Sequence, residues 1–453
     1  VQKEKIMDFF IILSMIGGLA LFLYGMHVMG DGLAKVSGGK MEKILESLTS
    51  NPLKAVGLGA LVTAVIQSSS ATTVMVVGFV NSGIMKLSQA VGVIMGANIG
   101  TTVTSWILSL SGIESDNFFF FFFKPASFSP VLAMIGVAFL LFAKSERKKD
   151  LGTIFLGFAV LMYGMDSMSA AVKPLADVPE FTGILTAFSN PLLGMLAGAL
   201  LTAVIQSSSA SVGILQALCV TGAVSYGAAI PIILGQNIGT CVTALLSAIG
   251  AKKNAKRAAM VHLYFNIIGT TVFLVIFYGL NLVFKFSFLD HAANAAGIAV
   301  AHSAFNVFAT AVLLPFSKGL EKLACLTIRD EKEETAQSDG AQLLDIRFLE
   351  QPAFAMEQSR NVAKRMADTS KNALFTAFSL FREYNPEQEK AVTEEEKRVD
   401  AYEDALGSYL VKLGQKDLTQ QDSRDLSIIL HCIGDFERIS DHAVNIMESA
   451  REL

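Results

Sequence analysis

Eight consecutive residues of this chain, Ala64-Val65-Ile66-Gln67-Ser68-Ser69-Ser70-Ala71, return letter for letter at Ala203 to Ala210, both times inside apolar sequence. The offset of 139 residues (203 − 64) recurs elsewhere: Tyr24-Gly25-Met26 answers Tyr163-Gly164-Met165, Asn51-Pro52 answers Asn190-Pro191, and Asn98-Ile99-Gly100-Thr101 answers Asn237-Ile238-Gly239-Thr240. An offset kept over four motifs marks an internal duplication. Polar clusters within apolar runs are expensive at membrane depth and mark pathways for polar cargo.

The apolar content is that of a membrane protein: 52% of 453 residues are hydrophobic, and mean hydropathy is +0.50. Seven stretches have the length that a ~30 Å hydrocarbon core requires: 8–29, 87–110, 127–143, 151–172, 226–250, 258–286 and 292–316. Two others, 52–83 and 191–222, are too long for one span and too short for two, and each carries Gln-Ser-Ser-Ser near its middle. Such a pattern predicts a re-entrant helix pair, whose irregular backbone is tolerated where it lines an enclosed cavity.

Loop charge supports that choice. With both stretches re-entrant and the N-terminus outside, Lys35, Lys40 and Lys43 and the basic loops 144–149 and 252–257 all fall inside, while Asp177 and Glu180 fall outside. Lys3 and Lys5 run against the rule. Three true spans per repeat, an odd number, insert the second repeat upside down, the signature of a transporter. The fold expected is all-α: repeat 1 over 8–143 and repeat 2 over 150–317, then a linker over 318–342 and a soluble helical bundle over 343–453. The absence of a cleavage site after the first apolar run predicts no cleaved signal peptide. Cys219, Cys241, Cys325 and Cys432 lack metal or disulfide spacing and read as free thiols. The run Phe118 to Phe123 reads as a low-complexity apolar segment.

The quartets Gln67, Ser68, Ser69, Ser70 and Gln206, Ser207, Ser208, Ser209 are the candidate anion ligands. If the chain breaks at the serines, new half-helices starting at Ala71 and Ala210 aim free N–H groups and positive dipole ends at the bilayer midplane, a setting suited to an anion. Serine hydroxyls donate to anion oxygens or offer lone pairs to a hard cation, and Gln67 and Gln206 brace the loops. Candidate ligands for a hard cation are the oxygens of Thr72, Thr73, Asn98, Thr101, Thr102, Ser211, Asn237 and Thr240, with Asp166 as an intramembrane carboxylate; Asn266 and Asn306 are further amides. No Lys or Arg lies at either centre. A buried divalent anion would therefore need helix ends and co-bound cations to offset its charge.

Residues 318–453 hold 18 Lys and Arg against 27 Asp and Glu, whereas residues 1–317 hold 18 against 13. No concentrated basic patch invites nucleic acid. Three helical patterns follow the linker, 343–384, 388–413 and 420–450, and the last carries an apolar seam through Ile429, Cys432, Phe436, Ile439, Ala443 and Ile446. No nucleotide-binding glycine loop or nucleophile and base pair is present, so neither enzyme activity nor an organic cofactor is expected.

The paired Gln-Ser-Ser-Ser motifs, each followed by Gly-x-Asn-Ile-Gly-Thr (Gly96 to Thr101, Gly235 to Thr240), resemble the type II sodium-phosphate cotransporter family over roughly residues 10–317. The resemblance implies sodium-coupled symport of inorganic phosphate by alternating access across the cytoplasmic membrane, through two inverted repeats with a Gln-Ser-Ser-Ser at the tip of each re-entrant hairpin. His262 to Asn266 matches the family's His-x-x-Phe-Asn element in repeat 2, whereas Phe123 and Ser127 depart from it in repeat 1. In the tail, Asp435 to Ala443 and Glu396 to Asp400 resemble PhoU motifs. That likeness implies a cytosolic regulatory bundle with metal-binding positions Glu396, Asp400, Glu437 and Asp441, and half a PhoU unit that pairs in a homodimer. The residues alone leave two alternatives: a sodium-coupled carrier of another oxyanion, and a phosphate-sensing membrane receptor.

Overall fold

A computed structural model of the chain describes residues 2–37, 51–112, 125–329 and 344–452. The Phe118 to Phe123 run, Lys40, Lys43 and most of the linker lie outside the described residues. These fall into two compact units, 1–77 with 86–329, and 78–85 with 330–453.

The first unit is helical. In chain order it holds α1 (Gln2–Ser37), α2 (Pro52–Ile66), most of α3 (Ser69–Ser82), α4 (Leu87–Ser109), α5 (Pro125–Phe142), α6 (Glu146–Val172) and α7 (Pro179–Ala187). There follow α8 (Pro191–Ile205), α9 (Ser208–Cys219), α10 (Tyr226–Ser247), α11 (Lys253–Phe284), α12 (Ala295–Leu313) and α13 (Ser317–Thr327). All seven expected spans are helices. Among the described residues six helical stretches are long and apolar enough to cross a membrane, and 127–142 is a shorter apolar helix. The exposed Val275, Leu282 and Val283 of α11 present the apolar surface such a span turns to lipid. Residues 318–327, expected within the linker, instead form most of α13. It joins the first unit because Arg257, set in α11, donates from Nε and Nη2 to the Ile328 carbonyl at 3.0 and 2.8 Å.

The two apolar stretches with internal Gln-Ser-Ser-Ser are broken helices. Asn51 and Asn190 cap α2 and α8, each side-chain oxygen accepting from the N–H groups two and three residues on, with proline first in the helix. The first helix of each pair packs onto the following span through small residues that let backbones touch. A Cβ on Gly59 would lie 2.1 Å from the Val93 carbonyl oxygen and one on Gly198 2.1 Å from that of Ile232; Gly96 and Gly235 approach Val56 and Met195 in the same way, at 2.0 and 1.9 Å. Every partner is displaced by 139 residues, so the duplication holds at the level of packing.

Helices α1 and α6, equivalent by the same offset, pack on each other antiparallel: Gly18 meets Gly164 and Met168, Gly25 meets Leu161 and Gly157, and Gly32 meets Ile154 and Asp150. The contacts exchange partners across the repeats. Gly25 lies against positions 157 and 161, and Gly164 against their counterparts 18 and 22, the reciprocity of a two-fold relation.

The second unit is a bundle of α14 (Pro352–Leu380), α15 (Pro386–Leu413) and α16 (Gln420–Glu452). The first of these starts later than its sequence pattern, because Pro352 takes the first helical position and 346–350 forms a short 3-10 turn capped by Asp345. Ala373, Ala377, Leu380, Val392, Ala443 and Met447 form its core. Residues 78–85 belong to this unit: Phe79 stacks edge-on against Phe354, and Asn81 donates to Asp345 at 2.6 Å. The buried seam of α16 runs through Leu426, Ile429, Ile433, Ser440, Ala443 and Met447. This corrects the expected phase, since Cys432 and Ile439 yield to their neighbours, whereas Ile446 still packs against the core. Small Ser440 lets the helices approach where Ile439 turns outward, 37% exposed.

Candidate functional site

Both breaks have one geometry. Gln67 and Gln206 end α2 and α8 with φ 60° and ψ 22°, the left-handed region. A non-glycine residue held there costs on the order of 1–3 kcal/mol, and such strain gathers at functional sites. Ser68 and Ser207 then cap the next helices, their hydroxyls accepting from the N–H of Ala71 at 3.1 Å and Ala210 at 3.2 Å. The helices begin at Ser69 and Ser208, two residues earlier than expected, because serine is a strong N-cap and alanine a poor one. The N–H groups of Ser69, Ser70, Ser208 and Ser209 therefore stand in the first turn, where no intrahelical acceptor exists, beside the positive dipole end.

The breaks meet. Ser70 donates from its hydroxyl to the Gln206 carbonyl at 3.4 Å and accepts from Thr243 at 3.4 Å. Gln67 is buried; its Nε2 donates to the Ala64 carbonyl and its Oε1 accepts from the Thr104 hydroxyl at 3.0 Å. It braces its loop as expected, whereas the Gln206 side chain is exposed. The repeats are alike in backbone and unlike in this support.

The oxygen-bearing residues around the breaks are buried: Thr72, Thr73, Asn98, Thr101, Thr102, Ser211, Asn237 and Thr240 are all 6% exposed or less. Thr101 and Thr240 donate to carbonyls one turn back, of Ala97 and Gln236, and Thr102 to that of Ile99, so their lone pairs stay available. Thr72 donates to the Ser68 carbonyl and accepts from Thr63. Asn98 reaches Asn266 at 3.5 Å, and Asn237 donates to the Ile233 carbonyl. Thr73 and Ser211 have buried hydroxyls without a partner among the described residues. Asp166 is half-buried on α6, beside Met165, which packs with Ala210 of the second break; among the described residues no hydrogen bond links it to either break.

Of the two histidine elements, His302 bonds Ser105 at 2.7 Å and ties α12 to α4, while Asn306 and Asn266 donate to the carbonyls of His302 and His262. These are scaffold bonds. Sequence reasoning missed Thr63, Thr104 and Thr243, and also Gln216, whose Nε2 donates to the Ser105 and Ala295 carbonyls at 3.1 and 2.9 Å and ties α9 to α4 and α12. The octet's identity at the 139-residue offset extends one residue upstream, to Thr63 and Thr202, before Val62 meets Leu201. Gln216 has Val77 as its counterpart, so repetition gave no signal.

In the tail, Glu396, Asp400 and Asp441 bring carboxylate oxygens within 4.8 Å of one another, three of the four residues expected. Burial first, then the charges of Asp400 and Asp441, raise the Glu396 carboxyl above its ordinary value. Glu437 is raised by burial and by Asp441, so it adjoins the cluster.

A duplicated helical membrane unit with two broken helix pairs that meet at polar, capped helix starts defines a multi-pass transport protein. The chain belongs to the Na+/Pi-cotransporter family, whose profile matches residues 21–170 and 161–314. The PhoU domain profile matches residues 363–450. YqeW of Bacillus subtilis is 32% identical over 265 residues, 58% of this chain and 82% of that protein. YjbB of Escherichia coli K12, named for inorganic phosphate export, is 26% identical over 434 residues, 95% of this chain and 76% of its own. The rat sodium-dependent phosphate transport protein 2A is 38% identical over 99 residues, 21% of this chain and 15% of its own length. No solved structure matches.

Proposed function

We propose that this protein couples phosphate movement across the cytoplasmic membrane to sodium by alternating access around the two breaks, with its PhoU domain in the cytosol. The observation that carries the reading is the Ser70 to Gln206 contact, which joins two equally strained, serine-capped helix starts from the two repeats. Four first-turn N–H groups and the serine hydroxyls form the anion cradle. Sodium supplies the remaining positive charge, held by oxygens of Thr72, Thr73, Asn98, Thr101, Thr102, Asn237, Thr240 and Ser211. Asp166, with no hydrogen bond to either break among the described residues, takes a secondary part. The antiparallel packing of α1 on α6 supports inverted repeats, and the equal breaks at Gln67 and Gln206 support re-entrant hairpins.

The family and the names of the relatives support phosphate as cargo, and the shared name of the 2A protein supports sodium as partner ion. In the tail, Glu396, Asp400 and Asp441, with Glu437 adjoining, form a regulatory divalent-cation site.

Labelled phosphate flux into proteoliposomes, with and without an inward sodium gradient, tests the proposal. Sodium-driven uptake that Gln67→Ala abolishes is the expected result. Binding without flux in the parent chain would replace transport with phosphate sensing, and equal competition by sulfate or arsenate would widen the cargo to oxyanions.

A further inference from the structure

The two repeats differ where their backbones agree. In repeat 1, Thr63 on α2 donates to Thr72 on α3 at 3.1 Å. Their counterparts at the 139-residue offset, Thr202 on α8 and Ser211 on α9, are both fully buried, and neither hydroxyl has a partner among the described residues. The third member of this neighbourhood is Gln236 of α10, where repeat 1 has Ala97. Gln236 is 0% exposed, and both Oε1 and Nε2 lack partners. Over α2, α3 and α4 of repeat 1, the corresponding set of partnerless buried side-chain atoms reduces to Thr73 Oγ1.

The helices that carry the trio are packed backbone to backbone. A Cβ on Gly198 would lie 3.1 Å from the Gln236 nitrogen, and one on Gly239 2.7 Å from Thr202 Cβ. Ser211 stands in the first turn of α9, one turn past the Gln206 break. The site thus lies behind the break of repeat 2, between the two helices of that pair and the span that follows.

Buried hydroxyls and carboxamides are almost always hydrogen-bonded, and a partnerless group deserves a ligand or a reason. Three partnerless side chains on three touching helices share one chemistry: neutral, hard oxygen donors with no carboxylate among them. That set suits a monovalent cation, since a divalent ion calls for anionic ligands to offset its charge. We propose that Thr202 Oγ1, Ser211 Oγ and Gln236 Oε1 coordinate one sodium ion behind the second break, a site that repeat 1 closes with its own Thr63 to Thr72 bond. The assignment rests on sodium coupling as proposed above, and adds Thr202 and Gln236 to the ion-binding residues. It makes the coupling asymmetric, one ion site of this kind in two repeats.

The test is the thermal unfolding of the full chain in detergent as sodium chloride replaces choline chloride at constant ionic strength, for the parent, Gln236→Met and Ser211→Ala. Sodium stabilises the parent by binding the folded state. Each variant should shift the sodium concentration for half-maximal stabilisation upward by about tenfold or more, the scale on which even an outer contact to a bound ion registers. Without sodium, neither variant should melt below the parent, because removing a partnerless polar atom does not destabilise. An unchanged sodium midpoint in both variants overturns the assignment, and so does a parent whose melting ignores sodium. Flux separates the two proposals. If the parent moves no phosphate yet Gln236→Met loses the sodium response, the ion site stands and the transport reading falls. If flux is sodium-driven and the variants keep the parent's midpoint, the reverse holds.

Discussion

The tightest glycine approach to another helix's backbone in the membrane unit yields the sharpest prediction. Gly235 of α10 faces the Met195 carbonyl of α8 so closely that a Cβ would stand 1.9 Å from that oxygen, where ordinary contact begins at 3.4 Å. Gly235→Ala must therefore part the two helices by roughly 1.5 Å, and overpacking of this kind costs about 1–3 kcal/mol, at times more. The same shift displaces the Gln206 break relative to α10, and a ~1 Å misplacement of positioning groups can cost about 100-fold in rate. Gly96→Ala, against the Val56 carbonyl at 2.0 Å, should do the same to the Gln67 break. Gly57, with nothing within 4 Å of its Cβ position, is the internal control; alanine there should stabilise α2 by about 0.5–1 kcal/mol. Thermal melts in detergent and initial phosphate uptake in proteoliposomes read both effects. If Gly235→Ala matched Gly57→Ala in melting and uptake, the close packing would not be what positions the break.

Ser207→Ala should cost about 1 kcal/mol through loss of the cap on Ala210 and lower uptake, while Ser207→Asp should keep the cap and, by adding a negative charge at the anion site, still abolish uptake; melting and flux together separate the outcomes. Thr104→Val should leave Gln67 Oε1 buried without its donor, at about 1–3 kcal/mol, with a matching fall in melting temperature. Because Glu396 and Glu437 titrate above the ordinary glutamate value of 4.5 in the folded tail, their contribution to stability is present at acid pH and lost as pH rises through the folded values toward neutrality. The exchange protection of the α15 and α16 amides, relative to their intrinsic rates at each pH, should accordingly fall from about pH 4.5 upward, less so in Glu396→Gln, and a divalent cation should restore it.

Much of this was legible in the sequence because duplication makes its own control. The 139-residue offset foretold both breaks, and it repeated the Asn-Pro pairs that prove to be helix caps, although the capping and the glycine contacts emerged only in the fold. The phase of α16 was not legible: Cys432 and Ile433 are adjacent apolar residues, and the choice between them was made by the neighbouring helices. The exact start of α3 and α9 depended on which serine would cap, a competition between equivalent residues in a row. Asymmetric features such as Gln216 and Gln236 were invisible to repetition for the plain reason that they are not repeated.

The account's central claim is that an anion can be buried between the two breaks only when cations share the site. Equilibrium binding of labelled phosphate to the purified full chain, measured at rising sodium and constant ionic strength, tests it most directly. The account predicts phosphate affinity that climbs with sodium and near-absent binding in choline. Phosphate binding of equal strength with and without sodium would contradict it.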